Sequence, residues 1–183
     1  MTPPQDFARL IRNAGVVGAG GAGCPSYVKA ASRADTVIVN AVECEPLLQK
    51  DRELLTHHGA EVVRGLELMV AATGAGKGVI AIKEKHTDTV KLLEKVLAGK
   101  QNLGLHRCQD FYPAGDEFCL VFEVTGRLIP PGGIPIQVGV VVNNVESLYN
   151  MARADQTPVV DTFLTVAGAV KNPCTLRLPV GTS

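Results

Sequence analysis

The sequence predicts an α/β domain, a Rossmann-like three-layer arrangement with a mostly parallel sheet, and two observations predict it. Short continuous apolar runs, such as Thr36-Val37-Ile38-Val39-Asn40 and Val79-Ile80-Ala81-Ile82, have the length and branched content of strands buried on both faces. They alternate with longer segments whose apolar residues recur at helical spacing, the pattern of βαβ units. Ligands of such sheets gather beyond the carboxyl ends of the strands, so the turns there are the first place to look for function.

Taken in order, Gln5 to Asn13 carries Phe7, Leu10 and Ile11 at helical spacing, and Gly15 stops it. A glycine-rich stretch from Val16 to Pro25 follows, then a short helix from Ser26 to Ala31 with Pro25 suited to its first turn. The strand Thr36–Asn40 ends in the polar turn Asn40-Ala41-Val42-Glu43-Cys44-Glu45-Pro46. Asp51 to Thr73 is the longest helix, with Leu55, Val62, Leu66, Met69 and Thr73 on one face and Gly74 closing it. Val79–Ile82 is a second strand, Asp88–Leu97 a helix with Val90, Leu93 and Leu97 inward, and Leu103–Cys108 a third strand. Phe118–Thr125 reads as a helix on the acids before it and Gly126 after it, although its Val and Phe content also suits a strand. Pro130-Pro131-Gly132-Gly133 breaks the chain before a strand at Ile136–Val142, and Asn143–Ser147 leads into a helix reaching Ala154. From Phe163 the pattern changes to a β-hairpin, Phe163–Val170 turning at Lys171-Asn172-Pro173. The expected division is a main domain over 1–160 and the opening of a second module over 161–183, which Ser183 cuts short, as in a piece of a longer protein.

Composition excludes several functions. Eighteen bases balance eighteen acids with no long like-charge block, which argues against nucleic acid and anionic lipid as partners. No apolar run approaches the ~18 residues of a membrane span, and no secretory signal opens the chain. The five cysteines are odd in number and scattered, with no C-x-x-C, so neither a disulfide framework nor a zinc or iron–sulfur site is expected from these residues. The expected compartment is the cytoplasm.

The loop Gly18-Ala19-Gly20-Gly21-Ala22-Gly23 is the most distinctive stretch. Exposed backbone N–H groups in such a loop form an anion nest, and a phosphate is its natural guest; the plain alternative is a flexible hinge. The loop satisfies G-x-G-x-x-G, but the dinucleotide version needs a strand just before it, and only Val16-Val17 intervenes after a helix. Gly74-Ala75-Gly76-Lys77-Gly78 fails as a P-loop: Ala71 stands where a glycine is needed and Gly78 where Ser or Thr is needed. It reads as a helix end and a tight turn.

Four motifs in order, spanning about Asn13 to Met151, resemble one family. They are the glycine loop Gly18–Pro25 followed by Lys29; the turn with Asn40, Glu43, Glu45 and Pro46, then Lys50-Asp51-Arg52; Tyr112, Gly115, Asp116 and Glu117; and Val142 to Ser147. Together they resemble the flavin-binding domain of the 51-kDa subunit of respiratory complex I and its relatives, the C subunit of the Rnf complex and the corrin (cobalamin) reductase of propanediol-utilisation microcompartments. The short region before the loop and the phrase Tyr112-Pro113-Ala114-Gly115-Asp116-Glu117 look like the corrin-reductase branch. The tail from Leu164 resembles the entry to the family's β-grasp module.

The resemblance implies FMN as cofactor and NADH as substrate, with electrons passing to 4Fe-4S clusters in regions beyond this chain and on to a cobalamin-type acceptor. Expected partners are NADH and an electron-acceptor protein or corrinoid, in the cytoplasm and within a bacterial microcompartment. Gly18, Gly20, Gly21 and Gly23 would lie against the flavin or its phosphate, with Lys29 adding a positive charge. Asn40, Asn143 and Asn144 would serve the ribityl hydroxyls and the ring edge, and Ser147, Tyr112 and Gly115 would also belong to the cofactor site. Glu43, Glu45, Asp116 and Glu117 would surround the flavin and seat the nicotinamide nucleotide; four carboxylates at one sheet end repel one another unless something polar or positive lies between them. Hydride transfer needs orientation and no general acid, so no catalytic residue and no metal ligand is expected. Cys24 stands where the family commonly has Phe, and Val42 where the complex I subunit has Asp. These two departures motivate one alternative, a scaffold domain that has lost nucleotide binding; the other alternative is an Rnf-type electron-transport subunit.

Overall fold

The computed structural model describes residues 6–183. Four strands, β1 (Thr36–Ala41), β2 (Lys77–Lys83), β3 (Leu103–Cys108) and β4 (Val140–Asn144), form one parallel sheet in the order β3-β2-β1-β4. β1 and β2 are joined by α3 (Lys50–Thr73) and β2 and β3 by α4 (Thr87–Leu97), so the chain first builds outward from β1. It then returns through α5 (Glu117–Thr125) to place β4 on the far side of β1. The winding direction therefore reverses between β1 and β4, and such a switch point leaves a crevice beyond the strand ends.

Alternation along the strands sorts side chains to two cores. Val37, Val39, Ile80, Ile82, Leu103 and Val141 face a layer made by α1 (Phe7–Asn13), α3, α4 and α6 (Val145–Arg153). Ile38, Ala81, Cys108, Val140 and Val142 face Leu120 and Val121 of α5. The stripe expected on the longest helix is its buried face: Leu55, Val62, Leu66, Met69 and Thr73 are all buried, each apolar one worth roughly 1.5–3 kcal/mol.

The boundaries move in several places. The first helix begins at Phe7, Gln5 lying outside the described residues. Pro25 is the residue preceding α2 (Ser26–Ala30) rather than part of its first turn. The strand expected from Ile136 starts only at Val140, because Pro135, with its fixed φ and no N–H, opens a 3-10 turn over Pro135–Val138 that Gly139 closes at φ 73°. The hairpin pairs β5 (Asp161–Val166) with β6 (Cys174–Pro179) in antiparallel register, so its first strand stops at Val166, short of Val170. Phe163 packs edge-on to Tyr149 at 5.6 Å, beside His58, where α3 has a non-helical residue just before Gly59.

Candidate functional site

A cavity of about 590 Å³ opens at the carboxyl ends of β1 and β4, within the ~300–1,000 Å³ of typical ligand pockets. Its walls are the glycine loop, the turn after β1, the segment before α5 and the β4–α6 junction. Every site residue expected from the sequence borders it except Gly21.

The glycine loop is a closed hairpin. Val17 pairs with Pro25, Gly18 N–H donates to Cys24 O at 2.8 Å, and Gly21 and Gly23 take positive φ, 107° and 61°. Ala19 N–H donates to Ser147 Oγ at 2.9 Å, so Ser147 holds the loop to α6. The amides of Gly18 and Ala19 are thus occupied within the chain, a narrower nest than the glycine count suggests. Lys29 Nζ donates to Val142 O at 2.7 Å, which fixes the lysine against β4.

Several polar side chains prove to be fasteners between walls. Asn40 Nδ2 donates to Gly115 O at 2.8 Å, and Asn40 Oδ1 accepts from Val42 N–H at 3.1 Å. Gly115 N–H donates to Cys44 Sγ at 2.9 Å, and a Cβ at Gly115 would lie 2.0 Å from Val42 O, so only glycine allows this approach. Asn144 Oδ1 accepts from Glu146 N–H at 3.0 Å as the N-cap of α6.

The acidic group differs from the expectation of four mutually repelling carboxylates. Glu43 accepts from the N–H groups of Asp51 and Arg52 at 3.1 and 3.4 Å, at the start of α3. Asp116 accepts from Phe118 N–H at 2.9 Å and Cys119 N–H at 3.4 Å as the N-cap of α5. Helix amides therefore satisfy two of the four. Glu45 and Glu117 are exposed, and their carboxylates have no ion-pair or hydrogen-bond partner among the described residues, leaving them free to meet a ligand.

A buried charge network was not singled out from the sequence. Lys50 Nζ donates to Glu146 Oε2 at 2.8 Å and to Ala19 O at 3.2 Å, and lies 3.6 Å from Asp51 Oδ1. Burial opposes the charge on Lys50, but Asp51, Glu146 and Glu43 together outweigh it and raise its pKa. Asp51 is 5% exposed and is pushed up to about 6, chiefly by burial and then by Glu43 and Glu146, against the pull of Lys50 and Asn144. Asn144 Nδ2 donates to Asp51 Oδ2 at 2.7 Å. The second oxygen of Glu146 accepts from Thr162 Oγ1 at 2.9 Å and Phe163 N–H at 3.2 Å, so one buried carboxylate ties the cavity's lysine to the hairpin. The available signal was Lys50-Asp51 at the head of the long helix, directly after the acidic turn. Asn143 is 3% exposed, borders the cavity, and its Nδ2 has no partner among the described residues.

The pattern of the Nuo51 FMN-binding domain matches residues 11–153. The chain is 45% identical over 181 residues to cobalamin reductase PduS of Citrobacter freundii and 46% identical to that of Salmonella typhimurium, covering 98% of this chain and 40% of each relative. It is 37% identical to the C subunit of the Na(+)-translocating ferredoxin:NAD(+) oxidoreductase complex of Acetobacterium woodii, over 94% of this chain and 41% of that one. The chain thus spans about two fifths of the length of these relatives. Among solved structures, an NAD+-reducing [NiFe]-hydrogenase in the air-oxidised state superposes with a TM-score of 0.82 at 28% identity, over 96% of this chain and 36% of that one. With four motifs in order, a parallel sheet with its cavity at the switch point, and a family match over most of its length, the chain belongs to the Nuo51 FMN-binding domain family.

Proposed function

We propose that this chain is the flavin domain of an NADH-dependent reductase, holding FMN in the crevice between β1 and β4 and presenting it to NADH. The observation that carries the reading is Asn143: a buried amide donor without a partner costs roughly 1–3 kcal/mol, and this one borders the cavity. A ring carbonyl or a ribityl hydroxyl is the acceptor it lacks. Flavin, when bound, supplies acceptance of a hydride and release of single electrons.

The chain's own residues bind and orient. The loop from Gly18 to Gly23 presents close backbone, while Lys29 and Lys50 put positive charge on the same side. Glu45 and Glu117, free of internal partners, offer acceptors for ribose hydroxyls of the nicotinamide nucleotide. Ser147 and Lys50 hold the loop through Ala19, and Asn40 holds the acidic turn against Gly115, so the walls are set before a ligand arrives. No side chain is assigned a proton-transfer role.

The onward path runs to iron–sulfur clusters outside this chain and then to a cobalamin-type acceptor; the likeness to two cobalamin reductases supports that acceptor. We place the protein in the cytoplasm inside a microcompartment, as the resemblance to the corrin reductases of microcompartments implies; among the described residues no helix is long and apolar enough to cross a membrane. The 37% identity to the A. woodii protein favours a second reading, as an electron-transport subunit. On either reading the hairpin Asp161–Pro179 opens a β-grasp module. Anaerobic addition of NADH to the FMN-loaded chain tests the proposal. Stoichiometric bleaching of the flavin absorbance is expected; a chain that takes up FMN but is not bleached by NADH contradicts the substrate, and one that takes up no FMN is a scaffold.

A further inference from the structure

Metal-ligating side chains also meet at the other edge of the sheet. β3 carries His106 and Cys108, two residues apart and so on one face, and α5 covers that face with Glu123 turned toward them. His106 Nε2 lies 3.2 Å from Glu123 Oε1, and these two atoms and the Cys108 sulfur all fall within 4.8 Å of one another. None of the three borders the flavin cavity.

An imidazole nitrogen, a thiolate sulfur and a carboxylate oxygen are the donors zinc takes, at about 2.0–2.3 Å. A tetrahedral ion with those bond lengths spaces its ligand atoms about 3.4–3.6 Å apart. The present arrangement reaches that spacing with side-chain adjustments of about an ångström, the ion replacing the His–Glu hydrogen bond. Thiolate and carboxylate together match the charge of one divalent cation, and the thiolate favours zinc over the hard cations magnesium and calcium. Cys108 is fully buried while His106 and Glu123 are half-buried, so an ion would enter from the open edge of β3.

We infer that His106, Cys108 and Glu123 bind a single zinc-type divalent ion, water completing its coordination, and that the ion clamps α5 to the edge strand. On binding, the sulfur–metal bond forms, the Cys108 proton leaves to solvent, and no oxidation state changes. The clamp bears on the cavity as well: α5 begins beside Asp116 and Glu117, and Glu123 is six residues, about 9 Å, further along the same helix. None of the three ligands lines the cavity, so the ion is expected to bind whether or not FMN is present.

Cobalt(II) titration of the tag-free chain, stripped of metal by EDTA, is the test, with FMN uptake measured in parallel. One equivalent is expected to bind with a thiolate-to-cobalt charge-transfer band in the near ultraviolet, displaced by added zinc. The band is expected to vanish in Cys108→Ser, and binding to weaken at least about 10-fold in His106→Ala and Glu123→Gln. Should Cys108→Ser fail to fold by circular dichroism, the other two variants, at half-buried positions, decide. Absence of the band in the native chain overturns the inference, as does a band of undiminished affinity in the folded variants, which would assign it to Cys24, Cys44, Cys119 or Cys174.

Discussion

Replacing Asn143 with alanine separates a ligand-binding amide from a structural one. Among the described residues Nδ2 has no partner, so its removal forfeits no internal hydrogen bond and relieves roughly 1–3 kcal/mol of unsatisfied burial. The lost packing of a small side chain is of similar size and opposite sign, so the flavin-free variant should unfold within about 1 kcal/mol of the native chain. With FMN the expectation differs. One hydrogen bond to the ligand, with the donor otherwise stranded, is worth roughly 1.5–3 kcal/mol, or about 10- to 100-fold in Kd. At an FMN concentration about 100 times the native Kd, ligand stabilises the native chain by about 2.7 kcal/mol. A variant about 100-fold weaker keeps only about 0.4 kcal/mol of this. For a chain of this length that is a flavin-induced rise in Tm of roughly 5–10 °C shrinking to about 1–2 °C, read by thermal melts with and without FMN. An Asn143→Ala chain with the full flavin-induced shift would refute the reasoning, and so would a flavin-free variant destabilised by about 3 kcal/mol or more.

The remaining predictions concern the walls and the buried charges. Gly115→Ala puts a methyl 2.0 Å from Val42 O and displaces the Asn40 and Cys44 contacts, so urea unfolding should show a loss of about 3 kcal/mol and FMN affinity should fall with it; full stability would contradict the close approach. Because Asp51 has its pKa raised from 3.8 to about 6, the folded chain holds that proton more tightly than the unfolded chain. Its stabilising contribution is complete below about pH 4 and is lost as pH rises through about 6, a fall of roughly 3 kcal/mol that should be absent from the pH profile of Asp51→Asn. Glu146→Gln weakens the charged bond to Lys50 and should cost about 1.5–3 kcal/mol, with faster amide exchange at Phe163 than in the native hairpin; unchanged exchange would show that the carboxylate does not tie the two parts together. Cys24→Phe, restoring an aromatic face at the cavity rim, should tighten NADH binding to the FMN-loaded chain about 2- to 10-fold, and an unchanged NADH titration would remove stacking there as a factor.

Much of this architecture was legible because buried parallel strands are written as unbroken apolar runs and their helices as stripes; β1, β2 and α3 follow those patterns closely, whereas the edge strand β3 carries His106 and Arg107 and is only partly buried. β4 was harder, since Ile136 and Val138 look like strand residues and only the conformational demand of Pro135 removes them. The location of the cavity followed from topology: turns after parallel strands must share one rim. What lone residues do at that rim was not legible. Glu43 and Asp116 look like ligand carboxylates in sequence, yet the free amides at a helix start claim both, Asp116 as the N-cap of α5 and Glu43 by reaching from the turn after β1 to the start of α3. Lys50 and Glu146 are 96 residues apart, and no local pattern announces that they pair. The same holds for Glu123, whose nearness to His106 and Cys108 depends on α5 crossing the outer face of the sheet; cysteine spacing alone pointed away from a metal.

Whether the crevice between β1 and β4 takes a phosphorylated flavin is read most directly by calorimetric titration of the chain with FMN. One FMN per chain is expected, bound more tightly by the native chain than by Asn143→Ala. No heat with FMN from a folded chain, or equal binding by both, would contradict it.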